Sequence, residues 1–140
     1  DEWEKAARGG QTLADGRRNP APTRRYPWGD AWRGDAANWW RLRARDGTTP
    51  VGCFPAGQGP YGALDQAGNV DEWCLDPDPD TGGRALRGGY FLGSKEVLQV
   101  WWHSSEEPAW HSDGVGFRVV AGPPVDLDDP SGLSEPSEVI

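Results

Sequence analysis

No stretch of the chain approaches the roughly 18 consecutive apolar residues of a membrane-spanning helix, so the sequence holds no span of that kind. Basic residues are in deficit: 14 Lys and Arg stand against 22 Asp and Glu, a formal net charge of −8. Phosphate backbones are bound by basic surfaces, so nucleic acid is not an expected partner. Cysteine and histidine are scarce, with two of each. Two histidines without a third ligand at a fixed spacing make no metal motif. Cys53 and Cys74 either bridge or remain buried free thiols, because sequence does not fix their separation. Long helices are disfavoured too, since 20 Gly and 13 Pro in 140 residues point to turns, loops and short strands. The opening Asp1-Glu2-Trp3-Glu4 lacks the pattern of a secretory signal.

What is present is enough for one modest domain. Only 36% of the residues are hydrophobic, but nine are Trp, each able to bury a large area. The chain is organised around Ala67-Gly68-Asn69-Val70-Asp71-Glu72-Trp73. Gly68 permits a sharp turn, and Trp73 is an apolar anchor. Asn69 and Glu72 offer side-chain oxygens and Val70 a carbonyl, a donor set that suits a hard cation such as calcium. The alternative is a turn in which Asn69 caps the backbone and Glu72 is solvated.

Along the chain, Asp1 to Arg8 reads as a short helix with acids first, Lys5 and Arg8 late, and Gly9-Gly10 as its stop. Trp3, Ala6 and Ala7 share one face of it. Gln11 to Arg25 is a polar surface loop. Trp28, Trp32, Trp39 and Trp40 are expected to fill the core. Thr49 to Phe54 is expected to be a strand between Pro50 and Pro55. The acids of Asp76-Pro77-Asp78-Pro79-Asp80 alternate as in a calcium loop, but Thr81 and Arg87 stand where such a loop needs Gly and Glu, so a solvated turn is expected. Arg84 to Gly89 and Gly114 to Val120 are predicted to be paired inner strands with Leu86, Phe117 and Val119 facing the core. Beyond residue 121, the acidic, Pro- and Ser-bearing stretch to Ile140 reads as a flexible tail.

The blocks Glu2-Trp3-Glu4-Lys5-Ala6-Ala7-Arg8-Gly9-Gly10, Pro50-Val51-Gly52-Cys53-Phe54-Pro55, Pro60-Tyr61-Gly62-Ala63-Leu64-Asp65-Gln66-Ala67-Gly68-Asn69-Val70-Asp71-Glu72-Trp73, Leu86-Arg87-Gly88-Gly89 and Gly116-Phe117-Arg118-Val119-Val120 occur in an order that resembles the formylglycine-generating enzyme family, also called the sulfatase-modifying factor domain. The resemblance spans residues 1–121. It implies an α+β fold similar to a C-type lectin, with little regular secondary structure. It also implies that the chain is the C-terminal part of a larger domain whose N-terminal portion is a further partner. Ala37-Asn38-Trp39 resembles the start of a second cation site with later ligands near Asp46, although the three Arg of the intervening loop work against a cation.

In the family's enzymes two cysteines carry copper and the oxidation. Their places fall on Gly93 and Leu98, so no copper is expected, because Cu(I) requires soft sulfur. Where the family has an Arg-x-Ala-x-Arg-like run, this chain has Gln99, Trp101 and His103. An intact frame around an unusual interior resembles the variable proteins of diversity-generating retroelements, which bind ligands through this segment. Tyr90, Phe91, Trp101, Trp102, His103, Trp110 and His111 are the candidate contacts, offering large, rigid, partly polar area to a protein or other macromolecule. The alternative is an oxidoreductase of the formylglycine-generating or sulfoxide-synthase type whose catalytic parts lie outside this chain.

Overall fold

The computed structural model describes residues 2–42, 47–78 and 80–121. Helix α1 (Glu2–Arg8) is followed by a long irregular stretch containing one 3-10 turn, Pro55–Gly57. Four short strands come next: β1 (Asp71–Pro77), β2 (Arg84–Arg87), β3 (His103–Glu106) and β4 (Val115–Gly116). They form one sheet in the order β3-β2-β1-β4. β2 runs antiparallel to both β1 and β3, while β4 lies parallel to β1. The register pairs Glu72 with Arg87 and with Gly116, and Arg87 with His103. The starts of β1, β3 and β4 and the end of β2 therefore meet at one end of the sheet.

α1 stops where the glycines predict. Gly9 takes a φ of +76° and returns its N–H to Lys5 O at 2.8 Å, and Asn19 Nδ2 caps the helix by donating to Arg8 O at 3.0 Å. The core is an aromatic row more than a layer of regular elements. Tyr26 stacks on Trp28 at 5.2 Å, Trp32 meets both, and Trp39 meets Trp32 edge-on at 4.7 Å. Buried Ala37, Ala67 and Leu98 close the cluster. Trp40, expected inside, is exposed at the end of this row with the Arg41 guanidinium 4.7 Å from its ring.

Three further expectations are corrected. Thr49 to Phe54 is a turn, because Gly52 at φ +84° reverses the chain and its N–H goes to Asp65 Oδ2. The strands at 84–87 and 115–116 flank β1 instead of pairing with each other. Leu86 is buried as expected, but Phe117 and Val119 are 75% and 86% exposed. Arg118 between them turns inward, and an alternating chain sends its neighbours out. Strand β1 was not foreseen, since acids are poor strand formers. The turn after β1 is solvated at Asp80, Thr81 and Gly82 as expected, while Asp78 is buried, with Oδ1 accepting the Asp80 and Thr81 N–H groups. The position near Asp46 and the acidic tail 122–140 lie outside the described residues.

Gln66 is fully buried, and neither amide atom has a hydrogen-bond partner among the described residues. An orphaned buried amide costs about 1–3 kcal/mol. Gln66→Met, of similar shape, is expected to raise unfolding stability by roughly that amount in urea titrations; a loss of stability would show that the amide is satisfied.

Candidate functional site

Gly68 sets the geometry at this end of the sheet. Its φ is +77°, and a Cβ there would lie 2.2 Å from Asn38 O. The tight approach lets Asn69 N–H donate to that same Asn38 O at 3.0 Å. Asn69 then adopts φ +68°, a conformation Asn tolerates better than most residues. Its Oδ1 accepts the Thr49 N–H at 2.8 Å and Asn38 Nδ2 at 3.2 Å, while its Nδ2 donates to Thr49 O. Asn38 Nδ2 also donates to Gly47 O.

Glu72 is buried at the start of β1. Arg118 grips it with two N–H groups, Nε to Oε2 at 2.6 Å and Nη2 to Oε1 at 2.5 Å. Trp3 Nε1 donates to Oε2 at 2.7 Å. The hydrogen bonds to Glu72 hold the Arg118 pKa above its usual range. Val70 lies with its side chain against Gly116. Asn69 and Glu72 are thus aimed at N–H donors, and Glu72 already faces a fixed positive charge. In this arrangement the side chains of Asn69 and Glu72, two of the three expected calcium donors with Val70, are engaged by N–H groups of the chain itself. Among the described residues no group of three or more His, Cys, Asp or Glu could hold a metal. Sequence reasoning missed Arg118. The signal was an Arg set among apolar residues in Gly116-Phe117-Arg118-Val119-Val120, in a chain with a carboxylate that would need a counter-charge once buried.

Asp71, adjacent to this clamp, is the perturbed acid. Burial pushes its carboxyl up to about 6, with the Gly89 N–H on Oδ1 at 2.9 Å pulling the other way and Glu72 adding to the rise.

The two places assigned to copper by resemblance are neighbours. A Cβ on Gly93 would stand 3.1 Å from Leu98 Cδ1 and 2.7 Å from Val97 Cγ2, and Leu98 is 1% exposed. The space is filled with hydrocarbon and offers no sulfur, so this donor set does not fit copper.

The aromatic candidates divide. Tyr90 and Phe91 meet edge-to-face at 5.8 Å and are half-buried; the Tyr90 ring rests on Gly114, and Phe91 N–H donates to Asn69 O. Leu98 and Val100 are core, and they pin the segment: Val100 N–H donates to Arg25 O at 3.0 Å. Trp101, next in sequence, is 46% exposed, and Trp102 is half-buried. Arg87 Nη1 supports this turn through Val100 O and Trp101 O. His103 is exposed, 3.9 Å from Asp78 Oδ2. Trp110, 40% exposed, and His111 lie on the 107–114 connection that returns from β3 to β4. The fold therefore gathers Tyr90, Phe91, Trp101, Trp102 and His103 at one end of the sheet, with Trp110 and His111 on the crossing loop. A cleft of about 260 Å³, unforeseen from sequence, opens between α1 and the sheet, lined by Trp3, Cys74, Asp76, Pro77, Ala85 and Arg87. Both cysteines are free thiols; Cys53 is exposed where burial was expected, and burial raises the Cys74 pKa.

The Sulfatase-modifying factor enzyme 1-like domain matches residues 1–122. The Bos taurus protein named Inactive C-alpha-formylglycine-generating enzyme 2 is 32% identical over 146 residues, covering 91% of this chain and 45% of that protein. The Formylglycine-generating enzyme of Mycobacterium tuberculosis is 32% identical over 161 residues, covering 87% of this chain and 49% of that one. Among solved structures, Treponema denticola variable protein 1 superposes with a TM-score of 0.61 at 28% identity, over 83% of this chain and 43% of its own. The chain spans slightly less than half the length of these relatives.

Glu72→Gln leaves the Arg118 charge without its carboxylate, and breaking such a pair is expected to cost about 3–5 kcal/mol in unfolding titrations. The cost should be the same in calcium and in chelator; a chelator effect on the wild type that vanishes in the variant would restore Glu72 as a metal ligand. Folding favours protonated Asp71, so its contribution is full below the ordinary value of 3.8 and is lost as pH rises through about 6. The difference corresponds to about 3 kcal/mol. Asp71→Asn keeps the acceptor for Gly89, so it should be more stable than wild type at neutral pH, with the gap closing towards pH 4. A gap that stays constant with pH would refute the raised pKa.

Proposed function

The chain belongs to the sulfatase-modifying factor enzyme 1-like domain family, and on that premise we propose that it is a non-catalytic ligand-binding domain of the lectin-like fold. Its ligand is a protein or other macromolecule, held by the aromatic segment 90–113, as in the variable proteins of diversity-generating retroelements. The observation that carries this reading is the contrast within that segment. Leu98 and Val100 are sealed in the core, while Trp101 and Trp110 stay 46% and 40% exposed. An anchored backbone presenting exposed rings is how rigid aromatic contacts are displayed for binding.

Two further facts support the reading. The resemblance puts the family's copper cysteines at Gly93 and Leu98, which pack on each other without a thiol. The relatives include one named inactive and one named a variable protein. A structural calcium at Asn69, Val70 and Glu72 would serve the frame of the domain and not the binding face. The rest of the family domain, beyond the stretch this chain spans, is a further partner in this reading.

The test separates display from packing. Trp101→Ala and Trp110→Ala are expected to change unfolding stability by under about 1 kcal/mol, against about 3–5 kcal/mol for Trp39→Ala inside the aromatic row. If Trp101→Ala and Trp110→Ala cost as much as Trp39→Ala, the rings are core and the binding face does not exist. Incubation with copper and a sulfatase-type cysteine peptide should leave the peptide mass unchanged; an aldehyde product would favour the oxidoreductase alternative.

A further inference from the structure

The aromatic segment 90–113 leaves the sheet after β2 and comes back to it at β4, and both of its ends are fastened to one residue. Asp71 Oδ1 accepts the Gly89 N–H at 2.9 Å, and the Asp71 N–H donates to Gly114 O at 2.8 Å. Gly89 stands just before Tyr90, and Gly114 just after Asp113. Gly88 and Gly89, at φ +98° and +71°, turn the chain out of β2. The β1–β2 ladder ends at Glu72 and Arg87, so the Gly89 N–H lies past it without a strand partner. A buried N–H needs an acceptor, and the Asp71 side chain supplies one. Alternation along β1 turns Glu72 towards Trp3 and Arg118 and sends Asp71 to the opposite face. There Gly89 packs so closely that a Cβ would lie 2.8 Å from Leu98 Cδ1. Asp71 is 7% exposed, and its bond to Gly89 is buried.

We propose that Asp71 is the positioning residue of the aromatic face. Its side chain holds the entry of segment 90–113 and its main chain holds the exit, so the separation of the two ends is set within one residue. This role rests on the reading of that segment as the binding surface. Tyr90 is placed most directly, because its ring lies on the clasped Gly114, where a Cβ would come within 2.6 Å of Tyr90 Cδ2. Phe91 N–H adds a third tie, to Asn69 O at 3.1 Å. The middle of the segment has anchors of its own, Val100 N–H on Arg25 O and β3 paired with β2. The clasp therefore governs the ends: Tyr90, Phe91 and the connection bearing Trp110 and His111. Fixing a loop at its base removes chain entropy before any partner arrives, so the rings are presented already ordered.

Amide hydrogen exchange of the whole chain, followed residue by residue by NMR, tests the clasp without a ligand. Asp71→Ala should speed exchange at Gly89, Phe91 and Val115 by about tenfold or more relative to Val100, whose N–H is bonded outside the clasp. Asp71→Asn keeps the Oδ1 acceptor and should restore protection at all three. Leu86→Ala, a core change away from the clasp, should speed all four amides together. An even rise in Asp71→Ala, or an Asn variant that fails to restore protection, overturns the proposal. Should Asp71→Ala not fold, the Gly89 amide itself decides: slow exchange in the wild type and in Asp71→Asn supports the clasp, and exchange as fast as an open loop overturns it. These rates do not depend on whether the rings bind anything. A failed clasp leaves the binding face standing, and that face is judged by the unfolding of Trp101→Ala and Trp110→Ala.

Discussion

The carboxylate of Glu72 ties α1 and the chain after β4 to the central strand. It sits buried at the start of the central strand, where an unpaired charge would not be tolerated. Two N–H groups of Arg118 and the indole N–H of Trp3 satisfy it. Because those donors come from α1 and from the chain after β4, meeting the needs of one acid fixes where the helix and the last strand lie. Arg118 reaches further, to the carbonyls of Leu64 and Asp65 just before the Gly68 turn. Helix, turn and sheet are thus referred to a single point. Arg118 facing inward is also what leaves Phe117 and Val119 facing out.

Irregular chain elsewhere is held by the same economy. Asn69 replaces a strand ladder with hydrogen bonds to Asn38 and Thr49, and Asn19 does the same around the end of α1. The aromatic row supplies apolar area that a chain with 36% hydrophobic residues could not gather from aliphatic layers. The site inherits this rigidity. The backbone bearing Trp101 is fixed on one side by Val100 bonded to Arg25 and below by Arg87.

How much of this could be read in advance depended on whether a residue's role was local. The end of α1 at Gly9-Gly10, the turn at Gly68 and the burial of Leu86 follow from nearest-neighbour preferences and were legible. The family and the lectin-like class were legible because the order of blocks survives. The clamp was not, because a carboxylate beside a Gly-Asn turn reads equally as a metal ligand until the distant Arg118 is placed against it. Phe117 and Val119 were misplaced for the related reason that alternation gives two faces without saying which is inside. Here the buried charge decided, against hydrophobicity. Trp101 was legible as a candidate contact and is exposed, whereas Trp40 outside the core was not legible at all.

The order in which these pieces are made has a consequence for how the molecule assembles. The clamp joins residues separated by 69 and by 46 positions, and β4 docks parallel to a strand made much earlier in the sequence. The β1–β2 hairpin can close early by local contact. The edge strand has to cross back over the sheet before Arg118 can reach its acid. Long-range closures of this kind slow folding and fall late. Until then the nascent sheet carries a carboxylate lacking its cation, so a chain cut short of Arg118 would bury Glu72 without its counter-charge.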